Sequence, residues 1–279
     1  MSEILSRSSS HWSEAGRAGM DAFYRLATDD YRHLALAQDW RTFVEDAQAA
    51  AGDRSLRLLD VACGSGKFPN ALALHAGLHE AQIAPVETAL LDPSAFSIAE
   101  ARAALPAPFQ PGAEFETTLQ ALDVPPGGYD IVWATHALYA IPEDELAAAM
   151  ARFRDAIAPG GRGIIAHSAE AGHYVAFHGH YLAAFDAPGV ARYVSAETIA
   201  ATLRDAGAEV AVQEVVYDSV AGADATDAVE GYLRRCVFDD TVTLSEMLAT
   251  EPLASYLASC RDATGWRFGQ RVWLMTVTG

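Results

Sequence analysis

Lysine is almost absent from this chain. Lysine and arginine together number 19, and Lys67 is the single lysine among them, against 37 acidic residues and a formal net charge of −18 over 279 residues. A protein that grips a phosphate backbone needs a basic track, and the largest arginine cluster here is the pair Arg234-Arg235. That balance argues against nucleic acid as a partner, and against anionic membrane surfaces for the same reason. Cysteine is scarce as well. Cys63, Cys236 and Cys260 lie far apart with no pair at metal-ligand spacing, which fits reduced thiols in a cytoplasmic protein. The first residues have no apolar signal core, and no apolar run is long enough to span a bilayer. A soluble, cytoplasmic protein is expected. What the chain does have is apolar content, 51%, enough for one large domain or a domain with a cap.

The most informative stretch is Leu58-Leu59-Asp60-Val61-Ala62-Cys63-Gly64-Ser65-Gly66, an apolar strand running into a glycine turn. A second strand ends on Asp92, in Leu90-Leu91-Asp92-Pro93-Ser94. Strand, glycine turn, helix, strand and acid is the way an open α/β sheet holds an adenosine-containing cofactor. A dinucleotide fingerprint needs a third glycine where this chain has Pro69. A P-loop would need glycine at Val61 and a hydroxyl residue at Phe68. What remains is a small loop suited to a nucleoside without phosphates, with Gly64 and Gly66 allowing close backbone approach and Asp92 placed to accept ribose hydroxyls.

Along the chain, residues 13–50 read as two helices with an apolar stripe through Leu34, Leu36, Trp40 and Phe43. Strand one follows at 56–62, and Pro69 suits the first turn of the next helix. Strand two ends at Asp92, a helix runs from Pro93-Ser94 to about 105, and residues 113–118 read as a short third strand. Ile131–Thr135 is a buried fourth strand. Leu146, Met150, Phe153 and Ile157 mark one helix face, and Gly163–Ala166 is strand five. Residues 195–206 read as helix, 209–217 as strand, 224–259 as helical and 271–277 as the last strand. The alternation implies a mostly parallel sheet with helices on both faces.

Four segments, in order, resemble class I S-adenosylmethionine-dependent methyltransferases: the run Asp60-x-Ala62-x-Gly64-x-Gly66, Leu91-Asp92-Pro93-Ser94, Tyr129-Asp130-Ile131-Val132 and Ala158-Pro159-Gly160-Gly161. The resemblance implies a Rossmann-like α/β fold with a seven-stranded sheet. It also implies an N-terminal helical lid (1–52) and a SAM-binding domain (53–279) with a substrate cap within 169–206 and 222–262. S-adenosyl-L-methionine would be the cofactor and S-adenosyl-L-homocysteine the product. Asp60, Ala62, Gly64, Gly66, Asp92, Pro93, Ser94, Thr118 (or Leu119) and Thr135 are the residues expected at the cofactor. A finer likeness is to histamine N-methyltransferase and to bacterial indole C3-methyltransferases that form pyrroloindolines. It rests on Pro93-Ser94, His136-Ala137-Leu138-Tyr139, Gly172-His173-Tyr174 and the closing strand. This chain departs from the amine enzyme at His136, where that family has glutamine, at Tyr139-Ala140, where it has paired tyrosines, and at His173 and Phe177, where it has tryptophans. Asp29, Asp30 and Tyr31 all fit the place of its amine-gripping N-terminal acid.

Methyl transfer from a sulfonium is an in-line displacement, in which placement can supply ~7–11 kcal/mol. The acceptor needs a water-excluding pocket with aromatic faces, which also attract positive charge. His136, just past strand four, with Tyr24 and Tyr139, are the candidate catalytic residues. His136 is the first candidate to take a proton, although a helix-capping or core histidine fits the position equally. Tyr31, Trp40, His173, Tyr174 and Phe177 are the candidate substrate contacts, while the Trp40–Phe43 stripe also suits a packed core. His167, His173, His178 and His180 lack a carboxylate or cysteine at ligand spacing, so they read as a polar rim and no metal is expected. His33 beside Asp29 and Asp30 is either an exposed helix face or a pocket wall, and Asp239-Asp240 reads as solvated surface. The expected reaction is C3-methylation of a tryptophan-derived indole. N-methylation of a histamine-like or other aromatic amine and a non-catalytic SAM-binding subunit are the alternatives. A homodimer through the N-terminal helices completes the expectations.

Overall fold

Central strands buried on both faces build the sheet into a three-layer core. In a computed structural model, which describes residues 11, 13–79, 83–185 and 191–278, the strands are β1 (Leu56–Val61), β2 (Val86–Asp92), β3 (Phe109–Glu116), β4 (Tyr129–Thr135), β5 (Ile157–Ser168), β6 (Glu209–Gly222), β7 (Arg261–Asp262) and β8 (Gly265–Thr278). Residues 1–10 and 12 of the expected lid, and 186–190 of the expected cap, lie outside the described residues. Leu59, Val61, Val132, Ala134 and Ile165 point to one face, where α5 (Glu143–Ala156) and α7 (Ala196–Asp205) cover them. Their neighbours Leu58, Ile131, Trp133, Ile164 and Ala166 point to the other, beneath α2 (Trp40–Ala51) and α3 (Lys67–His75). This period of two is the strand's own geometry.

The sheet order is β3-β2-β1-β4-β5-β8-β6, with β7 paired to β8. β1 to β5 pair in parallel, while β8 lies antiparallel between β5 and β6. The sheet therefore has one strand more than expected. The Asp262 carboxylate takes the N–H of Thr264 at 2.7 Å and of Gly265 at 3.2 Å, and Gly265 adopts φ 142, so the chain folds straight back into β8.

Several boundaries move for physical reasons. Ile157 opens β5 instead of closing α5, and β5 runs through Pro159-Gly160-Gly161, because the register shifts between Tyr129 and Ile131 and a bulge absorbs the extra residues. β3 starts at Phe109 rather than Ala113, again with a register shift opposite Thr88 and Leu90. The region 224–259 resolves into α8 (Thr226–Val237), α9 (Leu244–Ala249) and α10 (Leu253–Ser259).

The cap is built differently from the expectation. Ile199, Ala200 and Leu203 of α7 are buried against the sheet, so α7 belongs to a covering layer. A separate cluster joins Phe177 of α6 (His173–Phe185), Tyr232, Met247 and Phe268 to Leu26 and Ala27 of α1 (Arg17–Ala35). α1, α6 and α8 thus close over the ends of β1 and β4.

Candidate active site

β1 leaves the sheet through a turn that needs left-handed backbone. Ala62, Gly64 and Gly66 have φ of 51, 51 and 69. The Gly66 N–H reaches the Cys63 carbonyl at 3.0 Å and closes the turn. Asp92, at the tip of the neighbouring β2, braces it: Oδ2 accepts the Gly64 N–H at 3.1 Å and Oδ1 the Ser94 N–H at 2.9 Å. Ser94 then caps α4 (Ala95–Ala104) by accepting the Ser97 N–H at 3.2 Å. A cavity opens above this turn. Asp60, Ala62, Gly64, Asp92, Pro93, Ser94, Thr118, Leu119 and Thr135 all line it, and a Cβ on Gly64 would meet nothing within 4 Å.

Gly66 is not among the lining residues. A Cβ there would stand 3.2 Å from the Ala101 Cα and 3.3 Å from its carbonyl oxygen, so this glycine serves the close approach of α3 to α4. The lining of the cavity falls to its neighbours Gly64, Ser65 and Lys67.

The cavity continues under the lid into a space walled by Phe23, Tyr24, Tyr31, Tyr139, Tyr174, Tyr193 and Phe238. His136 and Phe238 share with Ala62 a left-handed φ, at 52 and 51, and the three are the non-glycine residues with positive φ among those described. All three line this one cavity. Such backbone costs roughly 1–2 kcal/mol per residue and gathers where the surroundings over-determine it, which makes active sites its usual home.

The His136 ring meets Tyr31 and Tyr174 edge-on, with centroids 5.9 and 5.7 Å away. Its Nδ1 lies 2.8 Å from the Tyr139 hydroxyl, which also accepts the Ser168 N–H at 3.2 Å. Burial drops the His136 pKa to about 3. Tyr24 of the lid receives a hydrogen bond from Ser65 Oγ at 3.3 Å, and the Lys67 ammonium sits 4.5 Å from its ring centroid.

Three carboxyl groups share the cavity. Burial raises Asp60 to about 8, against a lesser opposing effect from Trp133. Asp92 rises to about 6, because burial outweighs its two backbone N–H donors. Asp30, only 2% exposed, rises to about 7 through burial, even though the Tyr174 hydroxyl donates to it and Ser219 Oγ lies 3.4 Å away. Of the N-terminal candidates, Asp29 instead pairs with Arg32 and His33 on the outer side of α1, and His33 stacks on Tyr217 at 4.2 Å. Asp30 and Tyr31 line the cavity.

Three expected substrate contacts lie elsewhere. Trp40 packs edge-on against Phe43 and Phe68 in the core cluster that also holds Trp133, its Nε1 bonded to the Leu34 carbonyl at 2.9 Å. His173 stacks between Phe177 and Tyr232 with Nδ1 2.9 Å from the Tyr256 hydroxyl, and Phe177 is fully buried in the cap. Each is corrected from pocket wall to packed interior, where a large ring contributes most. His167 and His178 hold the chain near Val194 and Tyr193. Among the described residues no three His, Cys, Asp or Glu gather as a metal site. Asp239 accepts the Tyr181 hydroxyl at 2.7 Å and Asp240 pairs with His11 at 3.1 Å, so this pair ties the cap together rather than only meeting solvent.

Sequence reasoning passed over Phe23, Lys67, Tyr193, Arg235, Cys236 and Phe238, all of which line the cavity. Arg235 carried a usable signal, being a cation within the apolar face of α8 beside Leu233 and Cys236. It is 2% exposed and donates to the carbonyls of His11 at 2.6 Å and Gly16 at 2.9 Å.

A Bacillus halodurans C-125 protein assigned as a methyltransferase superposes with a TM-score of 0.54 at 16% identity, covering 84% of this chain and 97% of its own. The YcgJ protein of Bacillus subtilis gives 0.53 at 15% identity, over 83% of this chain and 94% of its own. Magnesium protoporphyrin IX methyltransferase from Synechocystis PCC 6803, with bound S-adenosylhomocysteine, gives 0.50 at 16% identity over 97% of both chains. At such identities the likeness speaks for the class I methyltransferase fold alone. No curated protein matches the chain in sequence. No helix of the described residues is long and apolar enough to cross a membrane. The methyltransferase domain model matches residues 31–213, from the lid through the central strands to the antiparallel edge, and on that match the chain belongs to this family.

Proposed function

We propose that the enzyme moves the methyl group of S-adenosylmethionine to C3 of a tryptophan-derived indole, with pyrroloindoline formation. The residues present fit the cofactor. Each Asp92 oxygen accepts one backbone N–H and keeps a lone pair for a ribose hydroxyl. Asp60 is a buried carboxyl at the glycine turn, where an ammonium group would hold it ionised. When bound, the cofactor supplies an electrophilic methyl on a sulfonium, and this chain's residues do the rest. Tyr24, Tyr31, Tyr139 and Tyr174 wall the space for a flat ring and exclude water. Attack through C3 leaves positive charge on the indole, and ring closure by a neighbouring amide nitrogen releases one proton overall.

The observation that carries the reading is Asp30, a buried carboxylate inside an aromatic-walled cavity with its pKa near neutrality. In this reading Asp30 takes that proton. The same carboxylate supports a second reading, N-methylation of an aromatic amine, with Asp30 as counter-ion to the ammonium. Mass spectrometry with labelled cofactor and a panel of tryptamines, tryptophan-containing cyclic dipeptides and histamine separates the two. A methylated product carrying a new ring supports the indole reading, and turnover of histamine alone overturns it.

A further inference from the structure

Gln270 is the one polar residue in a buried row of β8 that runs Trp266, Phe268, Gln270, Val272, Leu274. A buried amide is costly unless its hydrogens are used. Both are used here. Nε2 lies 3.2 Å from Ser219 Oγ on the neighbouring β6 and 3.1 Å from the Tyr232 hydroxyl on α8. Ser219 Oγ thus receives a hydrogen from the amide, and its own hydrogen must go elsewhere. It has Asp30 Oδ1 at 3.4 Å. Tyr174 of α6 donates to the other oxygen, Oδ2. The opposite amide orientation would turn Oε1 to Ser219, draw the hydroxyl hydrogen away and set lone pairs against the carboxylate. An ionised Asp30 disfavours that arrangement.

The titratable groups that face Asp30 from other elements are Tyr139 beyond β4, Tyr174 on α6, Tyr217 on β6, and Tyr232 and Cys236 on α8. Its own helix adds Tyr31 and Asp29, the latter already paired with Arg32. Burial raises the phenols and the thiol, so they stay neutral near pH 7. Burial pushes the Asp30 pKa up as well, and the hydroxyls of Tyr174, Tyr217 and Ser219 draw it back. Among the described residues, hydroxyl dipoles rather than a cation answer this charge.

We propose that Gln270 is a positioning residue for Asp30: by holding the Ser219 hydroxyl as a donor, it keeps the carboxylate ionised and ready to take a proton. The antiparallel edge of the sheet, remote from the cofactor turn, then sets the strength of the base. The catalytic consequence rests on the proposed role of Asp30 in methyl transfer, whereas the hydrogen-bond chain does not.

Carbon-13 spectra of the enzyme labelled at the aspartate carboxyls follow Asp30 directly, with its signal assigned by loss in Asp30→Asn. Gln270→Met removes both amide hydrogens at similar volume, and Ser219→Ala removes the hydroxyl. Each should raise the Asp30 pKa by about one pH unit, as loss of a hydrogen bond to a charged group implies. The double variant should go no higher than Ser219→Ala alone, because Gln270 acts through Ser219. Additive effects overturn the proposal, as does an Asp30 signal left unmoved by either single variant. Should Gln270→Met not fold, Gln270→Leu serves in its place. In both variants the rise of acceptor kcat/KM with pH should move upward, costing about tenfold at pH 6 and less than about twofold at pH 9, with S-adenosylhomocysteine affinity unchanged. A uniform loss at every pH marks a merely structural role and overturns the proposal. If no indole or aromatic amine is turned over, the proposed function fails, while the carboxyl titration still decides the role of Gln270.

Discussion

Asp92→Asn isolates one carboxylate that both braces the glycine turn and, in the proposed function, accepts the ribose. Burial raises its pKa to about 6 from an ordinary value of 3.8. A raised carboxyl pKa stabilises the fold at low pH, and that contribution is lost as pH rises through about 6. Above that point the ionised group costs roughly 3 kcal/mol, at 1.36 kcal/mol per unit. Asparagine removes this cost but keeps one acceptor oxygen, so either the Gly64 or the Ser94 N–H loses its partner, a penalty of about 1–3 kcal/mol. The two effects nearly cancel, and the apo melting temperature should barely move. Affinity should change far more. Loss of charge-assisted bonds worth ~1.5–3 kcal/mol raises the Kd for S-adenosylhomocysteine about 10- to 100-fold. In the wild type that Kd should also rise about tenfold between pH 7 and pH 5 as Asp92 protonates. Asp60, near 8 chiefly through burial, titrates in both proteins; the part of its shift that comes from the Asp92 charge disappears with that charge, so the difference between the pH slopes still traces to the Asp92 carboxylate. Calorimetry across pH on both proteins makes the measurement. Equal affinities, or equal slopes, would refute the ribose assignment.

Asp30→Asn should lower acceptor kcat/KM by about 10²-fold, in the range of general-base removal, and abolish a rate increase centred near pH 7. Unchanged pH–rate profiles would remove Asp30 from the chemistry. Gly66→Ala should destabilise the fold by about 1–3 kcal/mol, combining left-handed strain with the approach to Ala101; a denaturant midpoint equal to wild type would contradict that packing. Trp40→Phe should cost about 1–3 kcal/mol through lost volume and the lost bond to Leu34 while leaving acceptor kcat/KM within about twofold, whereas a selective rise in KM would restore Trp40 to the substrate wall.

The central sheet was legible because a strand buried on both faces has a short, continuous apolar signature. Leu58-Leu59 and Ile131-Val132 carry it plainly, and the glycines and acids at the strand ends are local features. Trp40 and Phe177 were misread because a core stripe and a substrate wall use the same residue types, and only packing tells them apart. The far side of the cavity was out of reach for a different reason. Arg235, Cys236 and Phe238 meet Tyr24 and Tyr31 only after some two hundred residues of chain have folded between them, and no spacing rule spans that separation. The position of Asp30 fell between the two cases. Its neighbour Asp29 is chemically identical, and only the phase of α1 sends one carboxylate outward and the other into the cavity.

The opening turns of the lid are moored by a cation near the other end of the chain. Arg235 donates to the carbonyls of His11 and Gly16, from the same helix that brings Cys236 to the cavity. Shortening the protein ahead of Arg17 would take away the His11 and Gly16 carbonyls that this guanidinium holds, and the effect would reach the opposite wall, where Cys236 and Phe238 line the cavity. Trimming the leading end and reshaping the far wall of the cavity are, in this molecule, a single operation.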